Sequence, residues 1–527
     1  MRAERLFQAL GLIDSALVEE ALEPRRQRTF PWKRWGALAA CLVLAVGLGF
    51  GWRFFGGYGG GMSGSSSGGA SGSDYGGTGA GGSGIEDGTV FMYYAGPVFP
   101  LTTAEDPAGL TAEREITWDF SSGVDPDRRL QEWGAEVTDA CVLTNQTNTD
   151  ITVTALYPFA GNFDELSKIY PKVTVDGETA ETTLYAGAYS GGFQSTFGAE
   201  TPDTMNLERL ESWTEYKTLL ESGEYQAQAL GEYPVLDVPV TVYEFSDFAA
   251  PLEGYHAATQ AVSFEIDESA TRIFTYGFNG MAMDRDGGFR QYSYFVPDGV
   301  RREPELKVLI VLGRDIEEYT LQGYQDGGCD PGEEIEGVSC SVTRSETTFD
   351  AVLDRLCRYY QEWYIQNWIE GQYNGFEGLS FGMYRGAVAE LLTQYGLFSD
   401  APMDRYSDGR LDDILSETLG QDRVLYLAFP VTVPAGGSAQ VDCELWKMPS
   451  FDYACSGSEN VGLQGYDLVT RLGSALEFTG QRAVLVNVEE VEITGQNFGF
   501  ALENGITAVD LDITLEHYYL ELCPKDD

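Results

Sequence analysis

The chain has 527 residues and a formal charge of −49. Eight basic and five acidic residues fall in the first 55, which leaves 25 basic and 77 acidic residues beyond them, a net of −52. That field repels a phosphate backbone and an anionic lipid surface, so nucleic acid is excluded as a partner. A 43% hydrophobic and 13% aromatic composition excludes disorder for most of the length, and the length fits ~2–4 domains.

Residues 1–34 are predicted to be a cytoplasmic amphipathic helix and a basic run. Leu6, Leu10, Ile13, Leu17 and Leu22 recur at roughly helical spacing, and Pro24 ends the pattern. Arg25, Arg26, Arg28, Lys33 and Arg34 follow. Residues 35–55 are predicted to be a transmembrane helix. The stretch Trp35 to Trp52 carries no charge, and its 18 residues would span ~27 Å, close to the hydrocarbon thickness. Trp32, Trp35 and Trp52 mark the two interfaces, and only Arg53 lies just beyond. The positive-inside rule places the N-terminus in the cytoplasm and the rest outside the cell membrane. A cleaved signal peptide fits poorly, because bulky aromatics replace the small-residue cleavage site.

With its ALGLIDSALVEEAL helix, basic run and single span, this first ~50-residue part resembles the anchor region of single-pass extracytoplasmic proteins from Gram-positive bacteria. Some of those are anti-sigma factors, which implies a cytoplasmic regulator as a partner for the helix. No His or Cys precedes Cys41, so the zinc-binding signature of many anti-sigma domains is missing. Residues 56–84 follow, with 15 Gly in 29 positions. They read as a flexible linker of ~30 Å root-mean-square span. The Gly64–Gly68 match to G-x-S-x-G lacks the strand–turn–helix context a nucleophile needs.

The outer region is predicted to be mainly β with a helical insertion (α+β), arranged as β-sandwich-like modules. The expected divisions are β-rich modules at 85–250 and 251–345, a helical insertion at 346–420, and a C-terminal β-rich module at 421–527. In the first module, Val137–Thr144 and Ile151–Phe159 read as a strand–loop–strand pair, and Lys172–Val175 leads into a tight turn at Asp176-Gly177. A helix is expected near 207–222 and a strand at Val238–Tyr243. Arg272–Phe278, Phe289–Val296 and Lys307–Gly313 are the clearest strands of the second module. Thr348–Trp368, Met383–Tyr395 and Arg410–Leu419 carry helical patterns. The last module opens with Val424–Val433 and Ser438–Leu445 around a Pro-Ala-Gly-Gly turn. Ala483–Val488, Val491–Ile493 and Ala508–Leu515 complete it.

Chemistry is sparse. Beyond the linker there are two histidines, His256 and His517, and no zinc, phosphate-loop or metalloprotease motif. Neither catalytic residues nor a cofactor or metal site is predicted. Asp284–Gly288 departs from a calcium loop and reads as a hairpin turn, and Asp326–Glu334 reads as a solvated acidic loop. Tyr359, Tyr360, Trp363, Tyr364 and Trp368 have the spacing of a buried helix face. Asn145-Gln146-Thr147 forms a glycosylation triplet in an expected exposed loop. Cys329/Cys340 and Cys443/Cys455 are close enough in sequence to close small loops, with free thiols the alternative. These features point to an anchored extracellular protein that binds or senses an unknown protein or envelope ligand. The alternatives are an anchored hydrolase for glycans or peptides, and a transmembrane regulator with a cytoplasmic partner.

Overall fold

The computed structural model describes residues 89–121, 134–187, 210–251, 258–284, 288–298, 304–367, 374–394 and 409–525. The expected helix, membrane segment and linker of residues 1–84 lie outside these, as do His256, Trp368 and the turn at Asp286-Gly287. No helix among the described residues is long and apolar enough to cross a membrane.

In chain order the first strands are β1 (Thr102–Thr103), β2 (Leu110–Asp119), β3 (Ala135–Asn145), β4 (Ile151–Gly161), β5 (Lys172–Val175), β6 (Glu178–Thr179) and β7 (Thr183–Ala186). Helices α1 (Leu166–Ile169), α2 (Trp213–Glu221) and α3 (Glu224–Ala229) accompany them. There follow β8 (Pro239–Ala249), β9 (Thr259–Glu265), β10 (Thr271–Tyr276), β11 (Gly280–Met283) and β12 (Phe289–Phe295). Next come β13 (Lys307–Gly313), β14 (Tyr319–Tyr324), β15 (Glu334–Ile335) and β16 (Ser339–Thr348). Helices α4 (Phe349–Asn367), α5 (Phe381–Gln394) and α6 (Leu411–Gly420) intervene. The last strands are β17 (Arg423–Val433), β18 (Ser438–Lys447), β19 (Gln464–Val469), β20 (Glu477–Val486), β21 (Val491–Gln496), β22 (Ala508–Asp510) and β23 (His517–Pro524). All lie in one unit, Gly51–Ala454 with Ser458–Asp527; the other, Met1–Phe50 with Cys455–Gly457, holds none of them.

Two sheets build the first body. One runs β22-β20-β2-β3-β18-β5-β6. The other is β1-β4-β17-β7, joined to β19-β23-β21 through Val98, which bridges Phe159 on one side and Leu468 on the other. Strand β17 shows why they stack. Its residues Leu425, Leu427, Phe429, Val431 and Val433 meet Ile116, Trp118, Val137 and Val441 of the facing sheet. Val424, Tyr426 and Ala428 point the other way, onto Tyr216, Leu219 and Tyr225 of α2 and α3. Both faces are covered, so β17 reads as one apolar run, while β2, β3 and β18 alternate between core and solvent.

The second body pairs the sheet β10-β13-β8-β16 with β11-β12-β9-β14-β15. Tyr243, Phe245, Val262, Phe264, Tyr292, Tyr294, Leu309 and Val311 fill the space between them. The reverse face of β8, β10 and β13 (Val242, Phe274, Tyr276, Val308, Ile310) joins α4–α6 in the core that also fills the first body. Helix α4 buries Phe349, Val352, Leu353, Leu356, Cys357 and Tyr360. Tyr359, Trp363 and Tyr364 pack partly buried against the same core, and Tyr360 stacks on Tyr384. The described residues of that aromatic run are therefore core-facing.

Several sequence expectations need correction. β3 and β4 do not pair with each other: β3 lies between β2 and β18, and β4 between β1 and β17. β17 and β18 likewise enter different sheets. Both connections arch from one sheet to the other, a path that a hairpin and an arch of equal length share in sequence. Strands drawn from 85–250 and from 421–527 thus share sheets, and β2 with β20 is parallel. Only Ala508–Asp510 of the expected strand Ala508–Leu515 is extended. Asn145 is buried, with Nδ2 donating to Thr149 O (2.8 Å) and Val433 O (3.0 Å), so the glycosylation triplet does not present its amide. Cys329, Cys340 and Cys443 are free thiols. Cys329 sits in the β14–β15 connection and Cys340 on β16 of the other sheet, while Cys443 faces the core. The Asp176-Gly177 turn closes β5 onto β6 with both residues at positive φ, as a type I′ turn requires.

One glycine ties the second body to helix α6. Gly277 has φ +80°, an added Cβ would lie 2.3 Å from Leu306 O, and its N–H donates to both Asp412 carboxylate oxygens (2.8 and 2.9 Å). Gly277→Ala is expected to cost about 1–3 kcal/mol, measured as a lowered urea midpoint.

Candidate functional site

Two places bring titratable side chains together. The first is closed. Glu165 stands at the N-terminus of α1, Asp422 just before β17 and Lys447 at the end of β18. Asn162 links the two acidic residues: its Nδ2 donates to Asp422 Oδ1 (3.0 Å), and its Oδ1 accepts from the Glu165 N–H (3.1 Å). Lys447 Nζ donates to Ala95 O at 2.6 Å. Burial pushes Glu165 up to about 7, and the Asp422 charge adds to it. Burial pulls Lys447 down to about 8 against the opposing fields of Asp467, Glu165 and Asp422. Asp467 in turn holds His517 (Oδ1 to Nε2, 2.6 Å), whose ring stacks on Trp213 at 4.7 Å.

The cavity that Glu165, Asp422 and Lys447 line measures about 20 Å³. That admits about one water and is far below the ~300–1,000 Å³ of a ligand site. A sugar ring does not fit between Glu165 and Asp422, so this acid pair does not form a glycosidase site.

The second place is open. The β9–β10 and β13–β14 loops border a groove of about 560 Å³ at one end of the second body, with Phe289 from the start of β12. Five carboxylates line it, Glu265, Asp267, Asp315, Glu317 and Glu318, against one guanidinium, Arg314. Phe264, Ile266, Phe289 and Tyr319 supply apolar wall. Arg314 Nη2 lies 2.6 Å from Glu317 Oε1. Asp315 accepts from the Tyr243 hydroxyl (2.9 Å) and from Arg344 (2.8 and 2.9 Å). The Ser269 hydroxyl and N–H hold Asp267 below its ordinary value, so it is a charged acceptor and not a proton donor. The described carboxyls that burial pushes up most, Asp164, Glu165, Glu390 and Asp412, all lie outside the groove.

Among the described residues no group of three or more His, Cys, Asp or Glu is placed to hold a metal ion. In the Asp326–Glu334 loop the carboxylates cap their own backbone: Asp326 accepts from Gly328 N–H (2.9 Å) and Glu334 from Gly332 N–H (2.8 Å). Neither the groove nor the closed cluster was singled out in the sequence. One signal was present: Lys447 falls in phase with Ala439, Val441, Cys443 and Leu445, so the alternation of β18 turns it inward.

These layers define a mainly β protein, and they fit a β-sandwich-like domain. No protein-family model matches the chain, and no curated protein is similar to it in sequence.

Proposed function

We propose that this chain is a membrane-anchored extracytoplasmic binding or sensing protein whose outer domain takes a basic peptide segment into the acidic groove. The helix at 35–55 holds it with the N-terminus in the cytoplasm, and the linker at 56–84 gives the domain reach. The observation that carries the reading is the groove itself. It has the volume of a ligand site, an apolar wall and five carboxylates, of which Glu317 is paired with Arg314 and Asp315 with Arg344. Loops at one end of stacked sheets are also a common place for recognition. The net charge of −52 beyond residue 55 would draw a cationic partner from a distance.

Calorimetric titration of the full chain with tetralysine at low salt tests this. Glu265→Gln with Glu318→Gln is expected to weaken binding roughly tenfold, since each exposed charge contributes about 0.2–1 kcal/mol. Glu492→Gln with Glu503→Gln, exposed acids outside the groove, is expected to leave binding nearly unchanged. Equal losses in both variants, or no saturable binding, would overturn the reading.

A further inference from the structure

The first described residues cross the closed cluster. Tyr93 and Phe451 exchange both backbone hydrogen bonds at 3.0 Å. The Met92 N–H donates to Asp452 Oδ1 (2.6 Å) and the Ala95 N–H to Ser450 Oγ (3.0 Å). Ala95 O accepts from Lys447 Nζ (2.6 Å). Every one of these partners belongs to the short stretch from Lys447 to Asp452. Tyr93, Tyr94 and Ala95 form part of the cavity wall beside Glu165, Asp422 and Lys447.

The chain changes character at Gly96. Residues 89–95 are half-buried or exposed, and 96–100 are buried. Val98 is fixed between two strands: its N–H donates to Asp467 O (2.8 Å) and its C=O accepts from Val469 N–H (2.9 Å). Gly96 itself has φ +70°, an added Cβ would lie 2.6 Å from that of Ala160, and Pro97 follows. A turn that only glycine adopts easily, next to a proline, therefore separates a half-buried segment, held by residues 447–452 and by Asn460 Nδ2 donating to Val90 O (3.2 Å), from a sheet-bound one.

We propose that Thr89–Ala95 is a releasable strap, hinged at Gly96-Pro97 and clamped by Lys447, that lets go when the carboxylates beneath it are charged. The driving force is desolvation. A charged Glu165 under the strap faces the Asp422 carboxylate and Asp164, with the Lys168 and Lys447 ammoniums as opposing charges. Tyr93 from the strap and Tyr216 from α2 also border the cavity, and Asp467, bonded to His517, faces Lys447 from β19. Opening the strap gives Glu165 water, so opening is favoured by its ionisation, and protonation closes the strap. The strap is the first described segment of the chain, and its release leaves Val98 in its place between the two strands. This inference does not depend on the groove.

Hydrogen exchange of the full chain at pH 5.5 and pH 8, corrected for intrinsic rate, tests it. Protection of the amides of Met92, Tyr93 and Ala95 is expected to fall roughly tenfold at pH 8, while β4 and β17 keep theirs. Glu165→Gln is expected to remove that difference, and Lys447→Met to raise strap exchange at pH 8. Ser450→Ala, which deletes one strap bond without touching a buried charge, is expected to raise strap exchange alone at both pH values. Strap amides as protected as those of β4 at both pH values, or a pH difference that survives Glu165→Gln, would overturn the proposal.

Discussion

Arg114→Met is expected to destabilise the domain by about 3–5 kcal/mol, read from urea unfolding of the full chain. Arg114 and Asp139 form an ion pair with no side-chain exposure on either partner. Their two contacts measure 2.8 and 2.6 Å, so the pair is bidentate. The same guanidinium donates to Phe99 O and Val469 O, both at 2.8 Å. Arg114 belongs to β2 in the seven-stranded sheet, whereas Val469 belongs to β19 in the facing one. The side chain is thus a polar bolt through an apolar layer. Removing it leaves the Asp139 carboxylate only the long contacts from the Tyr157 hydroxyl (3.4 Å) and the Cys141 thiol (3.9 Å) and takes a donor from two carbonyls, and that poorly compensated burial sets the size of the loss. Arg114→Met combined with Asp139→Leu is expected to recover a large part, because the buried charge goes with it. A single substitution costing under about 1 kcal/mol would show that the pair is not closed to water.

Stability is expected to rise as the pH falls from 8 to 5, the reverse of ordinary acid denaturation. Glu165 has a folded value of about 7 against an ordinary 4.5. Between those values the folded chain holds a proton that the unfolded chain has released. The contribution is complete near the ordinary value and is lost as the pH rises through 7. With ~1.4 kcal/mol per pH unit of separation, Glu165 alone accounts for roughly 2–3 kcal/mol between pH 8 and pH 5. Glu390, pushed up to about 7, and Asp164 and Asp412, pushed up to about 6, act in the same direction through burial. Lys447, pulled down to about 8, has the opposite sign, but only above this range. Thermal melts across this range check it. Glu165→Gln is expected to flatten the curve, and an unchanged slope would remove Glu165 as its source.

Much of the β content was legible. Lys172–Val175 and Lys307–Gly313 match β5 and β13 at both ends, and Val424–Val433 differs from β17 by one residue. These segments are β-branched or apolar runs bounded by turn residues, a local signal that survives without knowledge of the partner strand. The expected helices of the 346–420 stretch also correspond to α4–α6 within a few residues, because apolar spacing of three and four is local as well. β2 was missed. Its sequence LTAEREITWD places Glu113, Arg114 and Glu115 in the middle, which reads as a polar loop. Phase would have recovered it: Ala112, Arg114, Ile116 and Trp118 share one face, and Asp139 falls in step with Val137 and Cys141 on β3. A charge in step with core residues, on two strands that prove to be neighbours, is the imprint of a buried ion pair.

The sequence by itself determined the acidity of the chain beyond residue 55, the expectation of an apolar anchor and a glycine-rich linker, and the position of most strands and helices. All of these follow from composition or from periods of two and 3.6 residues. Only the tertiary structure decided that the connections after β3 and β17 arch between sheets, that β2 and β20 run parallel, and that Glu165, Asp422 and Lys447 share one closed cavity. The physical reason is that pairing, and the burial of a charge, depend on which distant strand supplies the neighbour, and a strand's own alternation tells its inner face from its outer one without naming what lies across from it.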